Sequence, residues 1–269
     1  MTLELTAKCN FRCPYCYCVW HEVPRLATPE LATADWKAVI DKCAADGVRD
    51  ILFTGGEALL RKDLFPLLTH ARRKLPNAEL AVFTNASRLT EAHIRWFKRR
   101  AIHLSTSLQG LATYGAMTGT RRKFNRLLTV LARAAELKWP MSVSITVTKA
   151  NLTEATDVFT AAALSGAKMI QVGAMMAEGR GRNHLDLMLT RREWSGVKDA
   201  IRALPDLHVP YLFCDEFLCV CREQPKDYLR RWADPNHVPC PAGRTFGVIG
   251  PNGGFRSCLH TLSSEPLAR

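Results

Sequence analysis

The sequence predicts an α/β chain in which six parallel strands and their helices curl into an open or partial (β/α)6 barrel, followed by a small cysteine-rich extension. Three observations lead there. Short β-branched or apolar runs alternate with longer amphipathic stretches as far as about residue 205. Parallel neighbours need a crossover, usually a helix, and right-handed crossovers curl such a sheet. Beyond about residue 205 the alternation gives way to a tail rich in Cys, Pro, Gly and Arg. The chain therefore divides into a core over residues 1–205 and an extension over 206–269.

The first strand is expected at residues 3–6, and a cysteine cluster follows it at once. A helix is expected over 33–45, because Trp36, Val39, Ile40 and Cys43 recur at i, i+3, i+4 and i+7 and Gly47 stops it. That spacing puts Cys43 on a buried stripe, where free cysteine packs as a small hydrophobe. Further strands are expected at 49–54, 79–84, 102–107, 141–147 and 168–172, with helices at 60–74, 90–99, 122–138 and 190–203. Asn151-Leu152-Thr153-Glu154 has the form of a capping box opening another helix. In the tail, Gly250-Pro251-Asn252-Gly253-Gly254 reads as a turn.

The chain has 269 residues, 47% hydrophobic and 23% charged, which excludes disorder and collagen-like structure. No apolar run is long enough to span a membrane, and the N-terminus has no secretory signal, so a cytoplasmic location is expected. Net charge is +12. Basic clusters recur at Arg72-Arg73-Lys74, Lys98-Arg99-Arg100, Arg121-Arg122-Lys123, Arg191-Arg192 and Arg230-Arg231. The plain reading is solvated helix faces; the sharper one is attraction for an acidic peptide or a phosphorylated ligand. Nucleic acid is not expected, since no aromatics are interleaved with these clusters.

Ten cysteines are placed unevenly: Cys9, Cys13, Cys16 and Cys18 at the start, Cys43 alone, then Cys214, Cys219, Cys221, Cys240 and Cys258. In a reducing compartment such cysteines point to metal or redox chemistry rather than disulfides. Cys9-Asn10-Phe11-Arg12-Cys13-Pro14-Tyr15-Cys16 is C-x3-C-x2-C. Three thiolates on one loop suit an iron–sulfur cluster and leave one iron of a cubane open. A zinc knuckle using Cys13 and Cys16 with Cys18 and His21 is the alternative on spacing alone.

C-x3-C-x-aromatic-C directly after the first strand of a repeated βα chain resembles the radical S-adenosylmethionine (radical SAM) enzymes. The resemblance implies that Cys9, Cys13 and Cys16 ligate a 4Fe–4S cluster. The open iron would bind the amino and carboxylate groups of SAM, and reductive cleavage would give a 5′-deoxyadenosyl radical that abstracts hydrogen from substrate. An electron donor such as flavodoxin or ferredoxin is implied with it. Tyr15 matches the aromatic position near the adenine, while Cys18 has no counterpart. Gly55-Gly56-Glu57 after the second strand resembles the family's Gly-Gly-Glu motif, with Glu57 as acceptor for the SAM amino group. Ser107-Leu108-Gln109-Gly110 resembles its Ser-Leu-Asp-Gly, with Gln109 replacing Asp and Ser107 expected near the SAM carboxylate or ribose.

Cys240-x12-Gly253-x4-Cys258 resembles the opening of the SPASM/twitch extension of one branch of that family, implying an auxiliary 4Fe–4S cluster on Cys240 and Cys258. The later SPASM cysteines are missing, so the extension reads as shortened or truncated. Cys214, Cys219 and Cys221 stand as further ligands, as a hydrogen-atom-donating thiol, or as ordinary thiols. The resemblance implies a peptide or protein substrate modified by crosslinking, epimerisation or oxidation; a small molecule such as a tetrapyrrole is the alternative.

Overall fold

A computed structural model describes residues 1–121, 124–214, 242–243, 245–262 and 265–266. Seven parallel strands form its frame: β1 (Thr2–Glu4), β2 (Asp50–Thr54), β3 (Glu79–Phe83), β4 (Ile102–Ser107), β5 (Ser142–Val147), β6 (Met169–Ala174) and β7 (Tyr211–Cys214). The seventh corrects the expectation that alternation ends near residue 205. Tyr211–Cys214 pairs parallel with β6 and covers an edge that would otherwise be bare. Four residues are too few to show a period, which hid the strand in the tail.

β8 (Val248–Ile249) pairs parallel with β1 on its other side, and β9 (Gly254–Arg256) folds back antiparallel on β8. The expected turn makes this hairpin: Gly250 and Gly254 bond across it, and Asn252 Oδ1 accepts from Gly254 N–H at 2.9 Å. β10 (Glu265–Pro266) closes the order β10-β9-β8-β1-β2-β3-β4-β5-β6-β7. The described part of the tail thus continues the core's own sheet.

The helices are α1 (Thr33–Ala45), α2 (Leu64–Lys74), α3 (Glu91–Arg99), α4 (Tyr114–Thr118), α5 (Asn125–Glu136), α6 (Ala155–Leu164) and α7 (Arg191–Arg202). α1 matches its expected span and buries Trp36, Ile40 and Cys43. α2 begins later than expected because Glu57 first caps a short 3-10 turn, Ala58–Leu60. The capping box at Asn151–Glu154 does not form. Asn151 Oδ1 instead accepts from Thr148 N–H at 2.7 Å, and Glu154 reaches Leu111 N–H, also at 2.7 Å. A capping box does form at Thr190 and Glu193, opening α7.

The two faces of the sheet differ. Leu3, Phe53, Leu80, Val82, Leu104, Ile145 and Val172 turn outward into one core with the helices. Fully buried Phe53 and Phe97 each contribute about 1.5–3 kcal/mol. The inner face, fixed by the register, carries Thr54, Ser105, Ser107, Ser144, Thr146 and Gln171. Parallel sheets covered on both faces are apolar on both. A polar inner face marks a space for ligands.

Candidate active site

Parallel α/β sheets gather reactive groups beyond the C-terminal ends of their strands. The loop leaving β1 there carries Cys9, Cys13 and Cys16, and it is tied down along its length. Glu30 Oε1 accepts from Thr6 Oγ1 and Ala7 N–H, both at 2.9 Å. Asn10 accepts from Asn85 Nδ2 at 2.9 Å and donates to Ser87 Oγ at 2.8 Å, beyond β3. Arg12 N–H donates to Thr118 O at 2.9 Å, and Arg180 N–H to Cys16 O at 2.8 Å.

Gly55 and Gly56 press against this loop. A Cβ on Gly55 would meet Thr6 O at 2.3 Å, and one on Gly56 would meet Lys8 O at 2.3 Å. Gly55 also has φ +130, a conformation that excludes side chains. Gly56 N–H donates to Thr6 O at 2.7 Å and Glu57 N–H to Lys8 O at 2.8 Å. The backbone that these glycines admit is the chain's own cysteine loop. Gly179, beyond β6, does the same from the other side, since its Cβ would meet Cys16 O at 2.5 Å.

Glu57 is fully buried, and its carboxylate accepts from Thr84 Oγ1 at 2.6 Å, Asn85 N–H at 2.6 Å and Leu59 N–H at 2.9 Å. Burial raises its carboxyl against the pull of those bonds. Glu57 thus joins the ends of β2 and β3 beneath the cysteine loop. Tyr15 is half-buried in that loop with its hydroxyl bonded to the Cys13 side chain. Ser107 is half-buried at the tip of β4 on the inner face. Gln109, in place of an expected Asp, binds Thr146 N–H through its side chain and takes Asn151 Nδ2 on its carbonyl at 2.6 Å. It ties β4 to β5.

Cys9, Cys13 and Cys16 are all free thiols. Burial pushes Cys13 up to about 12 and raises Cys9, with the charge of Cys16 adding to both and that of Cys9 adding to Cys13. A hydrogen bond from Cys18 holds Cys16 well below an ordinary thiol, and His21 adds to it. Cys18 itself is buried with Val19, Trp20, Leu26 and Ala27 in a small second core under the loop. The donor set is all sulfur, as an iron–sulfur cluster requires, and a bound metal would deprotonate the raised thiols. Among the described residues no three His, Cys, Asp or Glu side chains converge on a single-ion site. A cubane gives each thiolate its own iron and needs no such convergence.

Residues 3–159, more than half of the chain, match the radical SAM superfamily. The chain belongs to the radical SAM superfamily. Members of that superfamily work with a 4Fe–4S cluster and S-adenosylmethionine. The chain is 29% identical over 181 residues to the sporulation killing factor maturation protein SkfB of Bacillus subtilis, covering 66% of itself and 43% of that relative. It is 29% identical over 252 residues to the PqqA peptide cyclase of Gluconobacter oxydans, covering 90% of itself and 68% of the cyclase. In fold it resembles Streptococcus suis SuiB bound to precursor peptide SuiA, with a TM-score of 0.71 at 15% identity over 96% of this chain and 59% of SuiB. It also resembles anSMEcpe with bound AdoMet, with a TM-score of 0.72 at 13% identity over 97% of this chain and 74% of that one. This radical SAM chain therefore spans less than two thirds of SkfB and of SuiB.

Sequence reasoning missed the residues that brace the motif. Asn10, Asn85, Asn151 and Glu154 bond across tens of residues, and Asn and Glu in loops carry no pattern of their own. The polar inner face was legible as the alternation Ser142-Val143-Ser144-Ile145-Thr146-Val147. Also missed was a buried ion pair on that face, Glu4 of β1 with Arg256 of β9. Arg256 donates as well to Leu259 O at 3.0 Å. Burial raises Glu4 to about 7, against the opposing charge of Arg256. Cys214 lies at the tip of β7, where it accepts from Gln171 Nε2, and Cys258 is half-buried after β9. Cys219, Cys221 and Cys240 lie outside the described residues. No helix among the described residues is long and apolar enough to cross a membrane.

Proposed function

We propose that this protein is a radical SAM enzyme that modifies a peptide or protein, with Cys9, Cys13 and Cys16 holding the 4Fe–4S cluster. The observation that carries the reading is the cysteine loop itself. It lies at the C-terminal ends of the strands and is braced by Gly55, Gly56, Gly179 and the Asn10–Asn85 bonds. When bound, cluster and SAM supply a 5′-deoxyadenosyl radical that takes hydrogen from substrate. The protein's work is to position SAM and substrate and to exclude water.

Gly55 and Gly56 set the distance between the cysteine loop and β2, Tyr15 and Ser107 flank the SAM site, and Glu57 fixes the Thr84-Asn85 corner beneath it. Cys240 and Cys258 of the extension are assigned to an auxiliary cluster. The donor of the electron is a flavodoxin- or ferredoxin-type protein, and the free thiols suit the cytoplasm. Relatives named for a peptide cyclase and a killing-factor maturation protein, and a neighbour solved with its precursor peptide, favour a peptide over a tetrapyrrole.

The test is iron and sulfide content after anaerobic reconstitution, for wild type and for the Cys9/Cys13/Cys16→Ala triple variant. About eight irons falling to about four means a SAM cluster plus one auxiliary cluster, at about four irons per cubane. About four falling to none confines cluster binding to the N-terminal loop. Zinc in place of iron overturns the reading.

A further inference from the structure

The mouth of the barrel, formed by the loops beyond the C-terminal strand ends, is unevenly charged. Lys8 and Arg12 stand in the loop after β1, Arg88 after β3, Arg121 between α4 and α5, Lys149 after β5 and Arg180 after β6. All are exposed except Arg180, which is half-buried. Among the described residues none of them forms an ion pair or a side-chain hydrogen bond, although other arginines of the molecule do.

The carboxylates of the same loops are already engaged. Glu22 and Glu178 both pair with Arg182, at 2.6 and 3.4 Å. Glu30, Glu57 and Glu154 accept from backbone N–H groups and threonine hydroxyls. Asp63 is bound by Arg61 at 2.7 Å. Among the described residues of these loops only the Asp186 carboxylate has no bond to another group. The bonded carboxylates keep their charge, Glu57 offsetting part of Arg88 and Glu193 part of Lys149, and the loops still carry more cations than carboxylates.

Arg180 is the innermost. Its backbone is fixed to Cys16 O at 2.8 Å, it stands between Gly179 and Gly181, and its charge favours the thiolates of Cys9 and Cys13. The proposed cofactors do not neutralise this surface. An oxidised cubane of double positive charge on three thiolates is left with a single negative charge. SAM bound through its amino group has that group deprotonated, so sulfonium and carboxylate leave it neutral. Cluster and SAM together would add one negative charge, fewer than the excess of cations over carboxylates in these loops, and the mouth stays positive.

We propose that this cationic mouth docks an acidic peptide segment, carboxylates leading, and that Arg180 binds the carboxylate nearest the reacting carbon. The inference rests on the radical SAM reading and names its substrate class. Complementary charge steers such a segment in and fixes its register. A nucleic-acid strand would need aromatic faces to stack on, and among the described residues of these loops only Tyr17 is an exposed aromatic.

The test is fluorescence anisotropy on the anaerobically reconstituted, SAM-loaded protein, with a dye-labelled oligo-glutamate peptide as probe and oligo-glutamine of equal length as control. Oligo-glutamate is expected to bind tighter than oligo-glutamine and to weaken with salt. Arg12→Gln/Lys149→Gln/Arg180→Gln should raise its Kd by roughly tenfold or more, at up to about 1 kcal/mol per exposed cation. Arg73→Gln/Lys98→Gln/Arg99→Gln, an equal charge loss at the far end of the barrel, should leave the Kd unchanged. Equal binding of the two peptides, equal weakening by the two triple variants, or tighter binding of a short oligo-deoxythymidylate would each overturn the proposal. The peptide comparison uses wild type and stands even if a variant fails to fold. Formation of 5′-deoxyadenosine by the same preparation is read separately; its absence would sink the radical SAM reading, whatever binds.

Discussion

Arg72 and Arg180 sit at opposite ends of the barrel and do opposite things. Arg72, near the C-terminal end of α2, donates to Arg100 O, Leu75 O, Pro76 O, Ala78 O and Ala101 O at 2.8 to 3.2 Å. Those carbonyls come from the ends of α2 and α3, where helices leave acceptors unpaired and the dipole favours a cation. Its neighbours behave alike: Lys98 donates to Leu137 O at 2.8 Å and Lys74 pairs with Asp41 at 3.3 Å. At the mouth the geometry is reversed. Helix N-termini present N–H groups, the glutamates accept them, and Arg180 is left facing the cysteines. At the far end these cations finish the fold; at the mouth Arg61 and Arg182 do the same, whereas the side chain of Arg180 meets no hydrogen-bond or ion-pair partner among the described residues.

The sharpest break between the ends is Cys13→Ala. It removes a predicted cluster ligand from a loop held mainly by backbone and Asn10 bonds, so the fold should persist while reductive SAM cleavage stops. Near-UV circular dichroism should match wild type and 5′-deoxyadenosine should be undetectable. Substantial 5′-deoxyadenosine from the variant would remove Cys13 from the cluster.

Arg256→Gln comes next. The Glu4–Arg256 pair is buried on the inner face, so removing the arginine leaves a buried carboxylate uncompensated, at a cost of about 3–5 kcal/mol in urea unfolding. Its pH dependence has a definite sign. Glu4 is raised from 4.5 to about 7 by burial even with Arg256 present. The folded state therefore holds the Glu4 proton more tightly than the unfolded state does, and this contribution to stability falls as pH rises from near 4.5 through about 7. Without Arg256 the carboxyl rises further, so the variant's deficit should grow as pH rises above about 7 and shrink as pH falls below it, where Glu4 is protonated in both folded states. A deficit independent of pH would mean the pair acts through packing alone.

What the sequence made legible follows from the reach of each signal. α1 was readable to the residue because its apolar stripe and Gly47 lie within one helix. The Cys9–Cys16 spacing and Gly55-Gly56-Glu57 were readable because each is contiguous. β7 was too short, and Asn10–Asn85 joins residues far apart through two common loop side chains. The basic clusters were visible as clusters only. Whether an arginine meets five carbonyls or none depends on which loops fold beside it, and no local pattern records that.

Arg72→Gln tests that last point from the far end. A charged donor shared among carbonyls that close two helices should be worth about 1.5–3 kcal/mol. Urea unfolding should show the loss, while 5′-deoxyadenosine formation per folded molecule stays at the wild-type level.

Arg180→Gln should have the smallest effect on stability, and it is the counterpart that makes the comparison quantitative. Its side chain has no hydrogen-bond or ion-pair partner among the described residues, and the bond that fixes the loop, to Cys16 O, comes from its backbone N–H and survives the substitution. The expected change in unfolding free energy of the cofactor-free protein is within about 0.5 kcal/mol, as for a surface site. A slight gain is the more natural sign, because a half-buried cation beside other cations at the mouth is removed. If instead Arg180→Gln destabilised as much as Arg72→Gln, its guanidinium would be completing the fold, and the contrast with Arg72 would not hold.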